Sequence, residues 1–283
     1  MRNIAIITDT DSSLPIDLTL EYGICQVPIN LHIDGESFET GVDIDDHLLF
    51  EKLEKCNKYP TTSAPAPAAF AKAFKAAILE GAHSIICICV SNKVSSSYDS
   101  AVLASLMFQN QIDVVDSQNL SMGQGFMVLT AAEIVLNGAS REEVLEHLTN
   151  VRKRIHTFAI LPSLKYIALS GRLNKISANI ADTLDIKPIL TVQDGKLEVV
   201  SRQRTVNKAI NKMLELVCLA CDGKTIERGA IIHANSPEKA LNLQEKVYSI
   251  APGMKPYILA EFTPGLSIHT GPGTIGITIL TNG

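Results

Sequence analysis

Ser84-Ile85-Ile86-Cys87-Ile88-Cys89-Val90 runs straight into Ser91-Asn92-Lys93-Val94-Ser95-Ser96-Ser97. The first stretch is short and almost wholly apolar, and it reads as a buried strand; the second is a hydroxyl-rich loop that enters a helix. The same succession appears twice more. Residues 3–8 lead into Asp9-Thr10-Asp11-Ser12-Ser13, and residues 112–115 lead into Asp116-Ser117-Gln118-Asn119. In an open parallel α/β sheet the loops that follow the strands gather at one edge, and ligands bind in the crevice there. Hydroxyls and free backbone N–H groups collected at that edge suit a polar or anionic group. Bases, nucleophiles and metal ligands are scarce around them, which favours binding over catalysis.

Outward from this stretch, the first half alternates strand and helix. A helix is expected from about Pro15, with Ser13 as N-cap, then a strand over 25–32, a polar loop over 35–43 and a helix over 45–56. After a Pro/Thr/Ser loop at 58–67, an Ala-rich helix over 66–80 stops at Gly81, as a C-cap would. Helices are expected over 96–110 and 122–137, the latter ending at Gly138. Ser140-Arg141-Glu142-Glu143 opens another as a capping box. The second half reads differently. It has a strand over 157–161, helical segments on both sides of Gly171-Arg172, a helix over 206–221, a helix over 237–249, and strands over 229–234, 257–262 and 274–280. Asp194-Gly195 between two apolar runs, 189–193 and 196–200, is a hairpin signal, because Asp-Gly suits a type I′ turn. The expected fold class is α/β: an N-terminal three-layer α/β/α parallel-sheet domain over 1–155, and a C-terminal two-layer α/β domain with a mixed sheet over 156–283.

Composition agrees with two packed units. At roughly 150 residues per domain, 283 residues suggest two. The chain is 46% hydrophobic and 19% charged, enough apolar content for a sizeable core. Lys and Arg number 25 against 30 Asp and Glu, a net charge of −5. This gives no basic footprint for nucleic acid and no polybasic segment for membrane docking. The N-terminus enters a strand pattern without a signal-peptide stretch, and no apolar run approaches the roughly 18 residues of a membrane span. A soluble cytoplasmic protein is expected. Of the six cysteines, Cys87 and Cys89 lie in a strand pattern and are expected on opposite faces. Cys218 and Cys221 form a CxxC near the end of a helix, without the second ligand pair or the strand-to-helix setting of a metal or redox site. All are expected to be plain thiols.

Several loops carry candidate chemistry. Thr61-Thr62-Ser63 precedes a helix, and its hydroxyls suit either capping or an anion site. Ser91–Ser97 follows a buried strand and enters a helix whose N-terminus favours negative charge. It lacks both the P-loop pattern and G-x-S-x-G. In His269-Thr270-Gly271-Pro272-Gly273 the glycines and proline set a tight turn, and the histidine suits donation to a carboxylate or phosphate. Arg172 and Arg204 lie beside loop ends, where arginine either contacts a carboxylate or phosphate or is simply solvated. Asp9, Asp11 and Asp116 stand where carboxylates can hold Mg²⁺, but aspartate at a strand-end turn is more commonly a cap. No metal, cofactor or catalytic residue is expected.

Taken in order, these segments resemble the DegV family of bacterial proteins. Thr8-Asp9-Thr10-Asp11-Ser12-Ser13-Leu14-Pro15 is similar to the family's N-terminal opening. Thr62-Ser63-Ala64-Pro65 resembles its Thr-Ser-x-Pro loop, and Ser91 to Tyr98 its Ser-Ser-x-Leu-Ser-Gly-Thr-Tyr loop. Leu164-Lys165-Tyr166-Ile167-Ala168-Leu169-Ser170-Gly171-Arg172 resembles its Leu-x-Tyr-Leu-x-x-Gly-Gly-Arg segment. Ile186-Lys187-Pro188-Ile189 and His269-Thr270-Gly271-Pro272-Gly273 complete the match. Ser96 and Ser170 stand where the family pattern has glycine.

The resemblance implies a two-domain protein holding a long-chain fatty acid in a tunnel between the domains. The acid's carboxyl group would lie near Thr62, Ser95 and His269, with Ser63, Ser96 and Thr270 beside them. Some members present the bound acid to a separate fatty acid kinase that makes an acyl phosphate; Arg172, and with it Arg204, would then face the kinase or its phosphate. Two other readings compete. A stand-alone phosphotransferase or acyl hydrolase would need a metal or base beside the serines, with His269 within reach of Ser95 and a carboxylate orienting it. A protein-interaction module would have no lipid affinity.

Overall fold

The computed structural model describes residues 3–172, 176–177, 186–250 and 257–283. In chain order its strands are β1 (Ile4–Asp9), β2 (Cys25–Val27), β3 (Asn30–Ile33), β4 (Glu36–Glu39), β5 (Thr61–Ser63), β6 (Ser84–Cys89), β7 (Gln111–Asp116), β8 (Ile155–Ile160), β9 (Ile176–Ser177), β10 (Lys187–Gln193), β11 (Lys196–Gln203), β12 (Ile226–His233), β13 (Ile258–Glu261) and β14 (Ile275–Thr281). The helices are α1 (Ile16–Tyr22), α2 (Asp46–Lys55), α3 (Pro67–Leu79), α4 (Ser97–Ser105), α5 (Met122–Leu136), α6 (Arg141–Arg152), α7 (Lys165–Leu169), α8 (Val206–Cys221), α9 (Pro237–Ile250) and α10 (Pro264–Thr270).

The apolar runs form a four-stranded parallel sheet in the order β2-β1-β6-β7. Side chains alternate across it. Ile7, Ile85, Cys87 and Cys89 pack under α3 and α4 with Phe70 and Phe74. Ile4, Ile6, Ile86 and Ile88 face α5, α6 and α1 on the other side. Both faces are covered, which is why β6 is buried at every position. Cys87 and Cys89, expected on opposite faces, share one: a spacing of two restores the face, and their Sγ atoms lie 3.7 Å apart. All six thiols are free, with Cys218 exposed at the end of α8.

The second sheet has seven strands in the order β13-β12-β14-β8-β10-β11-β9. It is mixed: β12 and β13 are parallel, as are β11 and β9, and the remaining pairs are antiparallel. Helices α8 and α9 cover one face through Ile210, Met213, Leu243 and Val247. The hairpin β10–β11 turns at Asp194 (φ 48°) and Gly195 (φ 79°), both left-handed as the Asp-Gly pair predicted. The other face of this sheet meets α5, where Ala230, Ile232, Ala260 and Phe262 join the cluster that also holds Ile86 and Phe126. Helix α5 is therefore packed between the two sheets, and eleven consecutive residues from Met122 to Ala132 are buried.

A third, small antiparallel sheet, β4-β3-β5, was not anticipated. The single strand expected over 25–32 is two, interrupted at Pro28, which cannot donate to a ladder. The expected polar loop at 35–43 contains β4, reached through Asp34 (φ 47°) and Gly35 (φ 92°). The loop at 58–67 contains β5, so Thr61–Ser63 pairs with β3 instead of capping a helix. Helix α3 starts with Pro67 at its first turn and has no side-chain cap. Ser13 likewise does not cap α1: it ends a short 3-10 turn, Thr10–Ser12, with φ 51°. Ser140 and Glu143 do form the expected capping box on α6. Of the two helical segments expected around Gly171-Arg172, α7 is the first, and the second lies outside the described residues.

Candidate functional site

The loops at the C-terminal edge of the parallel sheet, the small sheet, α10 and the face of the mixed sheet that also meets α5 enclose a cavity of about 510 Å³. This is within the usual range for small-molecule sites, about 300–1,000 Å³. Its apolar wall includes Leu161, Ile167, Leu190, Val192, Leu197 and Phe262. Thr157 and Thr191 also line it, but their hydroxyls are already satisfied. Thr191 Oγ1 donates to the Thr157 carbonyl at 2.8 Å, and Thr157 Oγ1 bonds Thr278 Oγ1 at 3.1 Å.

At the other end the polar groups gather. His269 was expected in a loop before the last strand. It lies instead at the C-terminal end of α10, a helix with proline at its start and glycine just past its end. Two contacts anchor this helix: Ser267 Oγ donates to Asp46 Oδ2 at 2.5 Å, and Tyr59 OH donates to the Ile268 carbonyl at 2.5 Å. They hold His269 Nε2 3.2 Å from Thr62 Oγ1, across 207 residues of chain. Burial of the ring, with the nearby Arg172 charge second, pushes the His269 pKa down to about 3, so the imidazole is neutral. Its Nδ1 is buried and has no partner among the described residues.

The serine loop is built from within. Val94 and Ser95 N–H groups donate to the Ser91 carbonyl, and the Ser97 N–H donates to Ser95 Oγ at 3.3 Å. Ser95, one residue before the N-cap Ser96, thus satisfies the first N–H of α4, and its hydroxyl also bonds Ser97 Oγ at 3.0 Å. Ser91 Oγ donates to the Gly195 carbonyl at 2.7 Å, pinning the tip of the β10–β11 hairpin against this loop. Ser96 has φ −94° and ψ 11°, a backbone any L-residue accepts, so a side chain there brings no strain. Gly171, at φ +71°, is the glycine that the Ser170-Gly171-Arg172 turn requires.

The three loop aspartates divide sharply. Asp9 accepts from the Asp11 and Val90 N–H groups and from Gln124 Nε2. Burial lifts its pKa to about 6 against those donors. Asp116 accepts from the Gln118 and Asn92 N–H groups. Asp11 lines the cavity with a buried Oδ1 that has no partner among the described residues. Burial first, and the Asp9 charge second, hold its pKa well above the ordinary carboxylate range. Among the described residues no group of three or more His, Cys, Asp or Glu is placed to hold a metal ion, nor is any helix long and apolar enough to cross a membrane.

The profile of the DegV family, described as "Uncharacterised protein, DegV family", matches residues 3–282. The chain belongs to the DegV family. A DegV domain-containing protein of Caldanaerobacter subterraneus subsp. tengcongensis is 34% identical over 278 residues, 98% of either chain. Among solved structures, a fatty acid binding DegV family protein from Thermus thermophilus superposes with a TM-score of 0.93 at 30% identity, covering both chains fully. DegV of Bacillus subtilis, described as a fatty acid binding protein, does so with a TM-score of 0.90 at 28% identity, again over both chains.

In this DegV fold, Thr62, Ser63, Ser95, Ser96, Arg172, His269 and Thr270 all line this same cavity. Ser63 does so with its hydroxyl bonded to His32 Nε2 at 2.9 Å. Arg204 is exposed before α8 and does not line it. Asp11, read from the sequence with Asp9 and Asp116 as a turn cap before a metal ligand, is a lining residue that the sequence did not single out as part of the site. The carboxylate that a hydrolase would need behind His269 is not found among the described residues: Nε2 faces Thr62 and Nδ1 is unpartnered.

Proposed function

We propose that this DegV protein holds a long-chain fatty acid in the cavity between the mixed sheet and the loops at the edge of the parallel sheet, with the carboxyl group at Thr62, Ser95 and His269, and presents it to a separate fatty acid kinase for acyl-phosphate formation. One observation carries the reading. The Thr157 and Thr191 hydroxyls in the mixed-sheet wall are paired, whereas Asp11 Oδ1 and His269 Nδ1, on lining residues at the hydroxyl end, have no partner among the described residues. A cavity with a satisfied apolar wall and an unsatisfied polar end fits an amphiphile with one headgroup. The two fatty acid binding relatives of similar fold support the same ligand class. Each buried CH₂ contributes about 0.8 kcal/mol, so the chain supplies affinity. The headgroup must keep its hydrogen bonds, because a buried carboxylate without them is costly.

Ser63, Ser96 and Thr270 complete the headgroup surroundings in this reading, while Arg172 and Arg204 serve the kinase or its phosphate. The division into 1–155 and 156–283 and a cytoplasmic location belong to the same proposal. The test is mass spectrometry of lipid extracted from the purified protein. A stoichiometric C14–C18 fatty acid is expected. Thr62→Ala and Ser95→Ala should each lower affinity by roughly 10–100-fold, the cost of a lost bond to a charged group, and should slow kinase-dependent phosphorylation. A protein that is empty and takes up no added fatty acid would refute the reading.

A further inference from the structure

Asp11 sits where an acidic side chain is hardest to explain. It is buried and lines the cavity. Its Oδ1 lacks a hydrogen-bond partner among the described residues, although most buried polar atoms in folded proteins have one. Its neighbour two residues back takes the opposite arrangement: Asp9 accepts three hydrogen bonds and stays out of the cavity lining. One carboxyl is furnished for the anion and the other is not, the pattern that separates a charged acid from a neutral one.

The surroundings place Asp11 with the proposed headgroup residues. A Cβ on Gly265 would stand 2.7 Å from Asp11 Oδ1, so the backbone of α10 reaches the carboxyl directly. Gly265 and His269 are four residues apart on that helix and therefore share a face. The charged and titratable groups facing Asp11 are Asp9 from β1, Arg172 from the segment after α7, and His269 from α10. His269 is neutral, so among the described residues Arg172 is the cation that opposes the two acids.

We propose that Asp11 is a headgroup ligand, donating the proton of its own carboxyl group to the carboxylate of a bound fatty acid. The inference rests on the fatty-acid reading above and goes beyond the hydroxyl and histidine donors of that reading. Two close carboxylates cannot both be ionised in a buried site, so the pair keeps one proton. Burial and the Asp9 charge already keep that proton on Asp11 in the free protein well above the usual range. Once the pH passes Asp11's own pKa, each binding event must recapture a proton, and affinity falls about tenfold per pH unit.

The experiment titrates hexadecanoate into the full chain and its Asp11→Asn and Asp11→Ser variants between pH 6 and 9. Calorimetry in two buffers of different ionisation enthalpy counts the protons taken up. Above the pKa of Asp11 in the free protein, read by titrating its carboxyl group without lipid, the wild-type affinity is expected to fall with pH relative to both variants, approaching tenfold per unit, with proton uptake rising toward one. The variants should show neither effect. If a variant fails to fold, the wild-type proton count decides alone. Above that pKa, parallel pH profiles or no proton uptake by the wild type, or a free-protein Asp11 that is ionised throughout yet binds without taking up a proton, would overturn the role of Asp11 while leaving fatty-acid binding intact. Absence of hexadecanoate binding to every protein at every pH would instead overturn the fatty-acid reading, and this inference with it.

Discussion

Gly276 lies in β14 opposite Ala159 of β8 and Ile232 of β12, both of which line the cavity. A Cβ there would stand 2.5 Å from the Phe158 carbonyl oxygen and 3.0 Å from the Ala159 Cα. Because these are backbone atoms of a central strand, neither can yield cheaply. Gly276→Ala is therefore expected to cost about 1–3 kcal/mol and to lower the melting temperature by several degrees in a calorimetric scan. An unchanged melting temperature would show that the sheet relaxes there. Residue types alone mark Thr62, Ser95 and His269 as hydrogen-bonding candidates. They do not distinguish Asp11 from Asp9 or Asp116, since all three are turn aspartates after strands. What separates them is how many N–H groups point at each carboxyl.

Helix α10 shows the same division one level up. Pro264 at its start and Gly271 past its end are legible boundary signals, although His269-Thr270-Gly271-Pro272-Gly273 reads at first as loop. Its anchoring on Asp46 of α2 is not legible, because that contact crosses 221 residues. The anchor also gives the protein a pH dependence. Burial raises the Asp46 pKa to about 8 from an ordinary value of 3.8. Between those values the unfolded chain has released a proton that the folded chain still holds. Stability from this group is therefore complete below about pH 4, declines as pH rises toward 8, and is level above it. Asp46→Asn, which keeps an acceptor for Ser267, should flatten the loss of melting temperature between pH 4 and 8. Equal slopes in variant and wild type would assign the pH dependence to other groups. The small sheet was missed for a related reason: β3, β4 and β5 have three or four residues each. At that length alternation is too brief to register, and only the Asp34-Gly35 turn signals a hairpin.

Over the whole molecule, α5 joins the two large sheets into one apolar cluster, and the cavity lies between the mixed sheet and the loops that follow the parallel strands. A ligand there touches the mixed sheet and the loops that follow the parallel strands, and binds only the folded chain. Removing bound fatty acid should accordingly lower the melting temperature, and restoring it to a hundredfold excess over its Kd should return about 2.7 kcal/mol. A melting temperature indifferent to added fatty acid would place any lipid elsewhere. The amino-acid sequence by itself determined the covered parallel sheet, the Asp194-Gly195 hairpin, the Ser140 capping box and the hydroxyl loops at one sheet edge. Each depends on residues within a few positions of one another, through side-chain period, φ preference or a local hydrogen bond. Tertiary structure alone decided that a cavity exists, that Thr62 meets His269, and that Asp11 Oδ1 has no partner among the described residues. Leu190 or Phe262 is the same apolar residue in a core as in a cavity wall, and a polar atom is left unpaired only by what distant segments fail to bring near it.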